Sequence, residues 1–301
     1  MTWRPTILLT GADGQLGVEL ARLLPAHGDV VAARRATLDL ADPDAIVAAV
    51  RGAKPKLIVN TAAYTAVDLA EKESALARAV NARAPGILAE EAKRIGAVLI
   101  HYSTDYVFDG ARTTPYREDA PANPLSVYGA SKRDGERAIA ATGAHALTLR
   151  TSWVYGLYGK NFLLTIRRLA GDRDELSIVA DQIGVPNWSR TLAEATARVV
   201  AGGMASLAER AGLYHLSSTG QASWYEFARA IIGEVARPRV IPIPTAAYPT
   251  PARRPAYGVL ATGKFEDAFG FALPHWRDAL QRCTTEPPAV PGAKPEVRSP
   301  G

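Results

Sequence analysis

Thr6-Ile-Leu-Leu-Thr-Gly11-Ala-Asp-Gly14-Gln-Leu-Gly17 is the stretch whose reading decides the fold. An aliphatic run feeds directly into a Gly-x-x-Gly-x-x-Gly spacing, and helical periodicity begins at Leu16. Glycines placed this way permit a tight turn, let backbone N–H groups approach a pyrophosphate and bring a helix close against a strand. The spacing alone is weak, but a strand before it and a helix after it favour dinucleotide binding over an ordinary turn.

Outward from this loop the pattern repeats. Aliphatic runs at 6–10, 29–33, 56–60, 98–103 and 146–150 read as buried strands, and segments 16–24, 43–51, 84–96 and 131–141 carry helical periodicity. Strict alternation predicts an α/β fold, a Rossmann doubly wound parallel sheet with helices on both faces. After Arg150 the rhythm loosens, with prolines at 238–255 and short strands at 213–216 and 240–243, which suggests a smaller α/β substrate-binding lobe. The expected division is 1–155 plus about 187–210 for the dinucleotide-binding domain, where a helix at 191–200 returns to the sheet. The lobe would take about 156–186 and 211–283, and the proline-rich stretch 284–301 reads as a disordered tail.

Bulk composition bounds the function. With 48% hydrophobic and 22% charged residues the chain is ordinary globular protein, and no stretch approaches the roughly 20 apolar residues of a membrane span. The 35 Lys and Arg are scattered among 30 Asp and Glu. That net charge of +5 suits an anionic small molecule and forms no basic stripe for nucleic acid. The glycine loop follows the start so closely that no signal peptide is expected, and a cytoplasmic protein is. The single cysteine, Cys283, is given no role.

Tyr128-Gly-Ala-Ser-Lys132 puts a phenol and an ammonium four residues apart, hence on one helix face. A cation within about 4–6 Å favours the phenolate and eases proton transfer near neutral pH. The alternative is a surface tyrosine beside a snorkelling lysine. Thr104, at the carboxyl end of the strand Leu-Ile-His-Tyr-Ser-Thr, argues against it, because such strand ends line the ligand crevice and a hydroxyl there can bond a carbonyl. After the second strand the chain reads Val-Val-Ala-Ala-Arg34-Arg35, where an acidic residue would select the free ribose. Two arginines suit a 2′-phosphate, so NADPH is expected, with NADH the alternative cofactor. Asp39-Leu40 could flank the adenine.

Thr104, Tyr128 and Lys132 resemble the Ser/Thr, Tyr and Lys of the extended short-chain dehydrogenases/reductases. Gly14-Gln15-Leu16-Gly17, Asn60-Thr-Ala-Ala-Tyr-Thr-Ala-Val67-Asp68, Ser103-Thr104-Asp105-Tyr106, Arg150-Thr-Ser-Trp153, Asp181-Gln182-x-Gly-x-Pro and Pro249-Thr-Pro-Ala-Arg253-Arg254-Pro narrow the resemblance. Together they are similar to the branch that reduces dTDP-4-dehydrorhamnose. The resemblance implies hydride transfer to C4 of a dTDP-linked 6-deoxy-L-hexulose, giving dTDP-L-rhamnose. Tyr128 would donate the proton, Lys132 would hold the nicotinamide ribose, and Thr104 would bond the sugar at C4. It places Gly11, Gly14, Gln15, Leu16, Gly17, Ala62, Ala63, Tyr64, Thr65 and Asn81 against the cofactor, with Asn81 fixing Lys132 through water. It places Val67, Asp105 and Trp153 at the sugar, where Trp153 is either a flat apolar wall or a core aromatic. Asn161, Arg253 and Arg254 are candidates for the diphosphate.

The match departs in one region. Some members of the branch bind Mg²⁺ between subunits, and Glu19 and Glu194 look like the counterparts, yet Arg190 stands one turn before Glu194. A cation there opposes a hard divalent ion, so no metal-bridged dimer is expected, although a weak homodimer is possible without it. Asn187-Trp188 also departs from the branch's pattern. The competing functions are another nucleotide-sugar enzyme of the same superfamily, such as an epimerase, or a regulatory subunit that binds dinucleotide without turnover.

Overall fold

The computed structural model describes residues 4–234 and 237–286. The first five strands form where the aliphatic runs lie: β1 (Thr6–Thr10), β2 (Asp29–Ala33), β3 (Leu57–Asn60), β4 (Val98–Thr104) and β5 (Ala146–Thr151). Seven more follow, β6 (Val154–Tyr155), β7 (Glu175–Val179), β8 (Ile183–Gly184), β9 (Asn187–Trp188), β10 (Gly212–His215), β11 (Ala222–Ser223) and β12 (Arg239–Ile243). The main sheet has six strands in the order β10-β5-β4-β3-β1-β2, every neighbour parallel. From β1 the chain steps one way to β2 and then the other way to β3. That reversal opens a crevice at the carboxyl ends of β1 and β3.

The helices between β1 and β5 are α1 (Gln15–Leu23), α2 (Pro43–Ala53), α3 (Val67–Ala70), α4 (Ser74–Arg78), α5 (Ala84–Ile95) and α6 (Val127–Thr142). Later come α7 (Phe162–Asp172), α8 (Ser189–Ala201), α9 (Gly203–Glu209), α10 (Trp224–Ile232), α11 (Gly263–Phe269) and α12 (Trp276–Thr285). Their ends follow local chemistry. Asp42 caps α2 by accepting from the N–H groups of Asp44 and Ala45, with Pro43 in the first turn. Ser126 accepts from Gly129 N–H, so α6 starts earlier than periodicity predicts and includes Tyr128 in its first turn. None of the described helices is long and apolar enough to cross a membrane.

Alternate residues of each strand pack on opposite layers. Ile7, Leu9, Val59 and Ile100 face Leu20 of α1 and Leu192 of α8, whereas Leu8, Ile58 and Leu99 face Ile46, Leu88 and Ile139 from α2, α5 and α6. Each such fully buried aliphatic side chain is worth about 1.5–3 kcal/mol. A separate cluster of Tyr155, Trp188, Phe227 and Trp276 forms a further core.

Two expectations are corrected. The strand at 213–216, assigned from sequence to the substrate lobe, is β10, which pairs with β5 from Gly212↔Leu147 to His215↔Arg150. It completes the main sheet because β5 is buried along its whole length and needs a neighbour on its outer edge. Residues 284–286, expected in a disordered tail, are ordered instead: α12 runs to Thr285, and Glu286 pairs with Arg190 and Arg282. Residues 287–301 lie outside the described residues.

Candidate active site

The turn between β1 and α1 is built around backbone. Gly14 N–H donates to Gly11 O at 2.9 Å, and Gly11 adopts φ 72°. A Cβ on Gly11 would stand 2.6 Å from Ala62 N, and one on Gly17 would stand 2.0 Å from Gly11 O. Only glycine therefore allows α1 and the end of β3 to close on the loop. Gln15 donates to Val154 O at 3.4 Å, and its buried Oε1 has no partner among the described residues. A shallow backbone cradle at a helix N-terminus, with an orphaned acceptor at its rim, fits the pyrophosphate and a sugar hydroxyl of a dinucleotide.

Arg34 follows β2 and lies 2.9 Å from Asp13, both exposed, and Arg35 is exposed beside it. An exposed pair of this kind contributes at most about 1 kcal/mol, so a phosphate can displace it. Leu40 is buried, and Asp39 accepts from Ala41 N–H. On the other wall, Ala62, Ala63 and Tyr64 are partly buried and Thr65 is exposed. The buried Asn81 accepts from Tyr64 N–H at 2.8 Å and donates to Tyr64 O and Ser131 Oγ. Its carboxamide is thereby fully engaged. Ser131 Oγ in turn donates to Tyr128 O at 2.7 Å, so Asn81 is tied to the first turn of α6.

Thr104 ends β4, donates to Asp105 at 3.1 Å, accepts from Tyr106 N–H at 3.2 Å and stands by the Tyr128 hydroxyl, whose shift it opposes. Tyr106 packs edge-on against Tyr128 with ring centroids 5.6 Å apart. Desolvation pushes the Tyr128 phenol up to about 12, the Thr104 bond opposing it. The expected depression by Lys132 is not seen, because the amine points inward. Lys132 Nζ donates to Tyr102 O at 2.6 Å and lies 3.3 Å from His101 Nε2, and burial lowers it to about 8. Asp105 is buried too. One of its oxygens has no partner among the described residues and abuts Gly258, and desolvation raises its carboxyl to about 7.

The substrate side differs more from expectation. Trp153 is half-buried and held at φ 40°. Its ring stacks on Trp224 with centroids 3.5 Å apart and planes at 7°, and it presses against Gly184. Trp153 is thus part of an aromatic cluster with Trp224. Asn161 caps α7, accepting from Leu164 N–H and donating to Gly156 O and Tyr158 O. Arg254 forms a bidentate pair with Asp68 at 3.1 and 2.8 Å. Both residues therefore hold the chain itself, and Arg253, which is exposed, is the candidate left facing solvent. Val67 opens α3 immediately before Asp68. Sequence reasoning missed Trp224 and His101. The first follows Ser223, whose capping box with Glu226 was a readable signal, and the second sat inside a run taken as plain strand.

The carboxylates considered for Mg²⁺ do not fit a metal. Glu19 is buried against Arg190 and Arg22 at 3.2 and 3.1 Å, and Glu194 is held bidentately by Arg282 at 3.0 and 3.1 Å. Each is already neutralised by guanidinium, and no cluster of metal-binding side chains occurs among the described residues.

A parallel sheet that reverses at β1, with a glycine cradle facing a Thr-Tyr-Lys set, defines a class: the extended short-chain dehydrogenases/reductases. Within it, the chain belongs to the RmlD substrate binding domain family, which matches residues 5–287. It is 49% identical over 292 residues to the dTDP-4-dehydrorhamnose reductase of Burkholderia thailandensis, covering 93% of this chain and 98% of that protein. The enzyme of the same name from Escherichia coli K12 is 41% identical, with 93% and 97% covered. The crystal structure of a Bacillus anthracis dTDP-4-dehydrorhamnose reductase in complex with NADP superposes with a TM-score of 0.86 at 35% identity, covering 94% of this chain and 99% of that one.

Proposed function

We propose that the protein reduces the 4-keto group of dTDP-4-dehydro-6-deoxy-L-mannose to dTDP-L-rhamnose, using NADPH. The observation that carries this reading is the meeting of Thr104 and Tyr128 at the carboxyl end of β4, in a chain similar over almost its whole length to reductases of that name. NADPH, held by Gly11, Gly14 and Gly17 with Arg34 and Arg35 toward the 2′-phosphate, supplies the hydride for C4 of the sugar. Tyr128 stays protonated at neutral pH and gives that proton to the C4 oxygen as it becomes an alkoxide. Thr104 donates a hydrogen bond to the same oxygen and stabilises the developing charge. Trp153 offers the hexose an apolar face, and Arg253 is the cation available to the diphosphate. A cytoplasmic place of action fits a buried lone thiol, Cys283, that burial pushes up to about 12 and out of reach of oxidants.

The test is NADPH oxidation with the keto-sugar as substrate. Tyr128→Phe is expected to lose at least about 100-fold in kcat with NADPH affinity retained. Full turnover by that variant would overturn the mechanism.

A further inference from the structure

The inward turn of Lys132 meets a polar row that crosses the sheet. Thr10, Asn60 and His101 are register partners on β1, β3 and β4, so their side chains leave the same face, the one covered by α6. All three are buried. Asn60 Oδ1 accepts from Thr10 Oγ1 at 2.6 Å and from Ala62 N–H at 3.2 Å. A backbone N–H can only donate, so this pair of bonds fixes the Asn60 amide with Oδ1 toward β1 and Nδ2 toward β4. Asn60 Nδ2 then donates to His101 Nδ1 over 3.0 Å, and Nδ1 is the unprotonated nitrogen. Burial holds the imidazole well below its ordinary range and therefore neutral, which leaves its proton on Nε2, facing Lys132 Nζ at 3.3 Å.

An ammonium has donors and no acceptor, so against Nε2–H it would set two donors head to head. A neutral amine accepts from Nε2–H and still donates to Tyr102 O. We propose that His101 is a positioning residue for Lys132: it admits the side chain to this inward station only as the neutral amine, and so directs the charged form outward to Tyr128 and the cofactor cradle. The outward step rests on the function proposed above, and the inward one does not. From the elements packed on Lys132, the titratable groups that face it are His101 of β4 and Glu136 on α6. Glu136 favours the ammonium but is itself paired with Arg150 of β5 at 2.8 and 2.7 Å. In the segment 79–83, Asn81 is bonded to Ser131 and the one charged residue, Arg83, is exposed.

Nuclear magnetic resonance of the full chain without substrate tests this. ¹⁵N-labelled histidine reads the His101 tautomer, and the ¹³Cε signal of Lys132, assigned with Lys132→Met, reads its titration. The expected result is the Nε2–H tautomer at neutral pH. In His101→Gln, whose Oε1 can accept from an ammonium, the Lys132 midpoint is expected to rise by about one pH unit, and the basic limb of the NADPH oxidation profile to move with it. An Nδ1–H tautomer in the parent chain, or an unmoved Lys132 midpoint in folded His101→Gln, would overturn the proposal. If the variant does not fold, the tautomer in the parent chain still decides. Both spectra are recorded without sugar, so a wrong substrate assignment would fail the turnover assay and leave these readouts untouched.

Discussion

Asp105 shows how much local stability the site gives up. Its carboxyl is raised to about 7 by desolvation, so the folded chain holds that proton more tightly than the unfolded chain does. Stability is therefore lost as pH rises from about 4 to about 7 and levels off above that. Asp105→Asn has no such ionisation, and its melting temperature should exceed that of the parent at pH 8 and converge with it near pH 4. Equal melting temperatures at both pH values would mean that the carboxylate finds compensation in the folded state. At this scale the places of Thr104 at the end of β4 and of Tyr128 and Lys132 on one helix were legible, because spacing along the chain carries them. The inward station of Lys132 was not. It depends on which residues of β1, β3 and β4 stand side by side, and register between distant strands leaves no trace in local order.

The elements themselves were legible wherever caps and long apolar runs spoke together, as at Asp42-Pro43 and along β3 to β5. The two-residue strands were not, since β6, β8, β9 and β11 are too short to show a period. They matter nonetheless. Gly184 of β8 lies under Trp153, and a Cβ there would stand 2.5 Å from the indole ring. Gly184→Ala should displace Trp153 from its stack on Trp224 and raise KM for the dTDP-sugar about tenfold, with NADPH binding unchanged in fluorescence titration. An unaltered KM would remove Trp153 from the sugar site. Where α1, α8 and α12 meet, Arg190 bridges Glu19 and Glu286. Arg190→Ala leaves the Glu19 carboxylate buried with only Arg22, and urea unfolding should report a loss of about 2 kcal/mol. Chelators should change neither stability nor turnover of the parent chain.

Across the molecule, Asp68 helps fasten the proline-rich loop to the dinucleotide half. Asp68 accepts from Arg254 and from Ala252 N–H, and the loop continues to Gly258, which lies against Asp105. The guanidinium of Arg254 holds the Asp68 carboxyl below its ordinary range. That contribution to stability is present above about pH 4 and is lost as the carboxylate is protonated in the folded state. Asp68→Asn should loosen the loop, raising KM for the sugar several-fold with little change in kcat. Limited proteolysis should then cut near residue 250. Resistance equal to the parent would place the fastening elsewhere.

The position of β10 also bears on how the chain is made. The ribosome delivers β1 to β5 in one run, but the strand that seals the outer side of β5 is separated from it by the segment between Thr151 and Gly212, roughly sixty residues. At about 5–20 residues per second, the nascent sheet presents Leu147 and Leu149 on an open edge for several seconds. During synthesis the sheet thus carries an unpaired edge, and it reaches its final form only after the segment up to β10 has been translated.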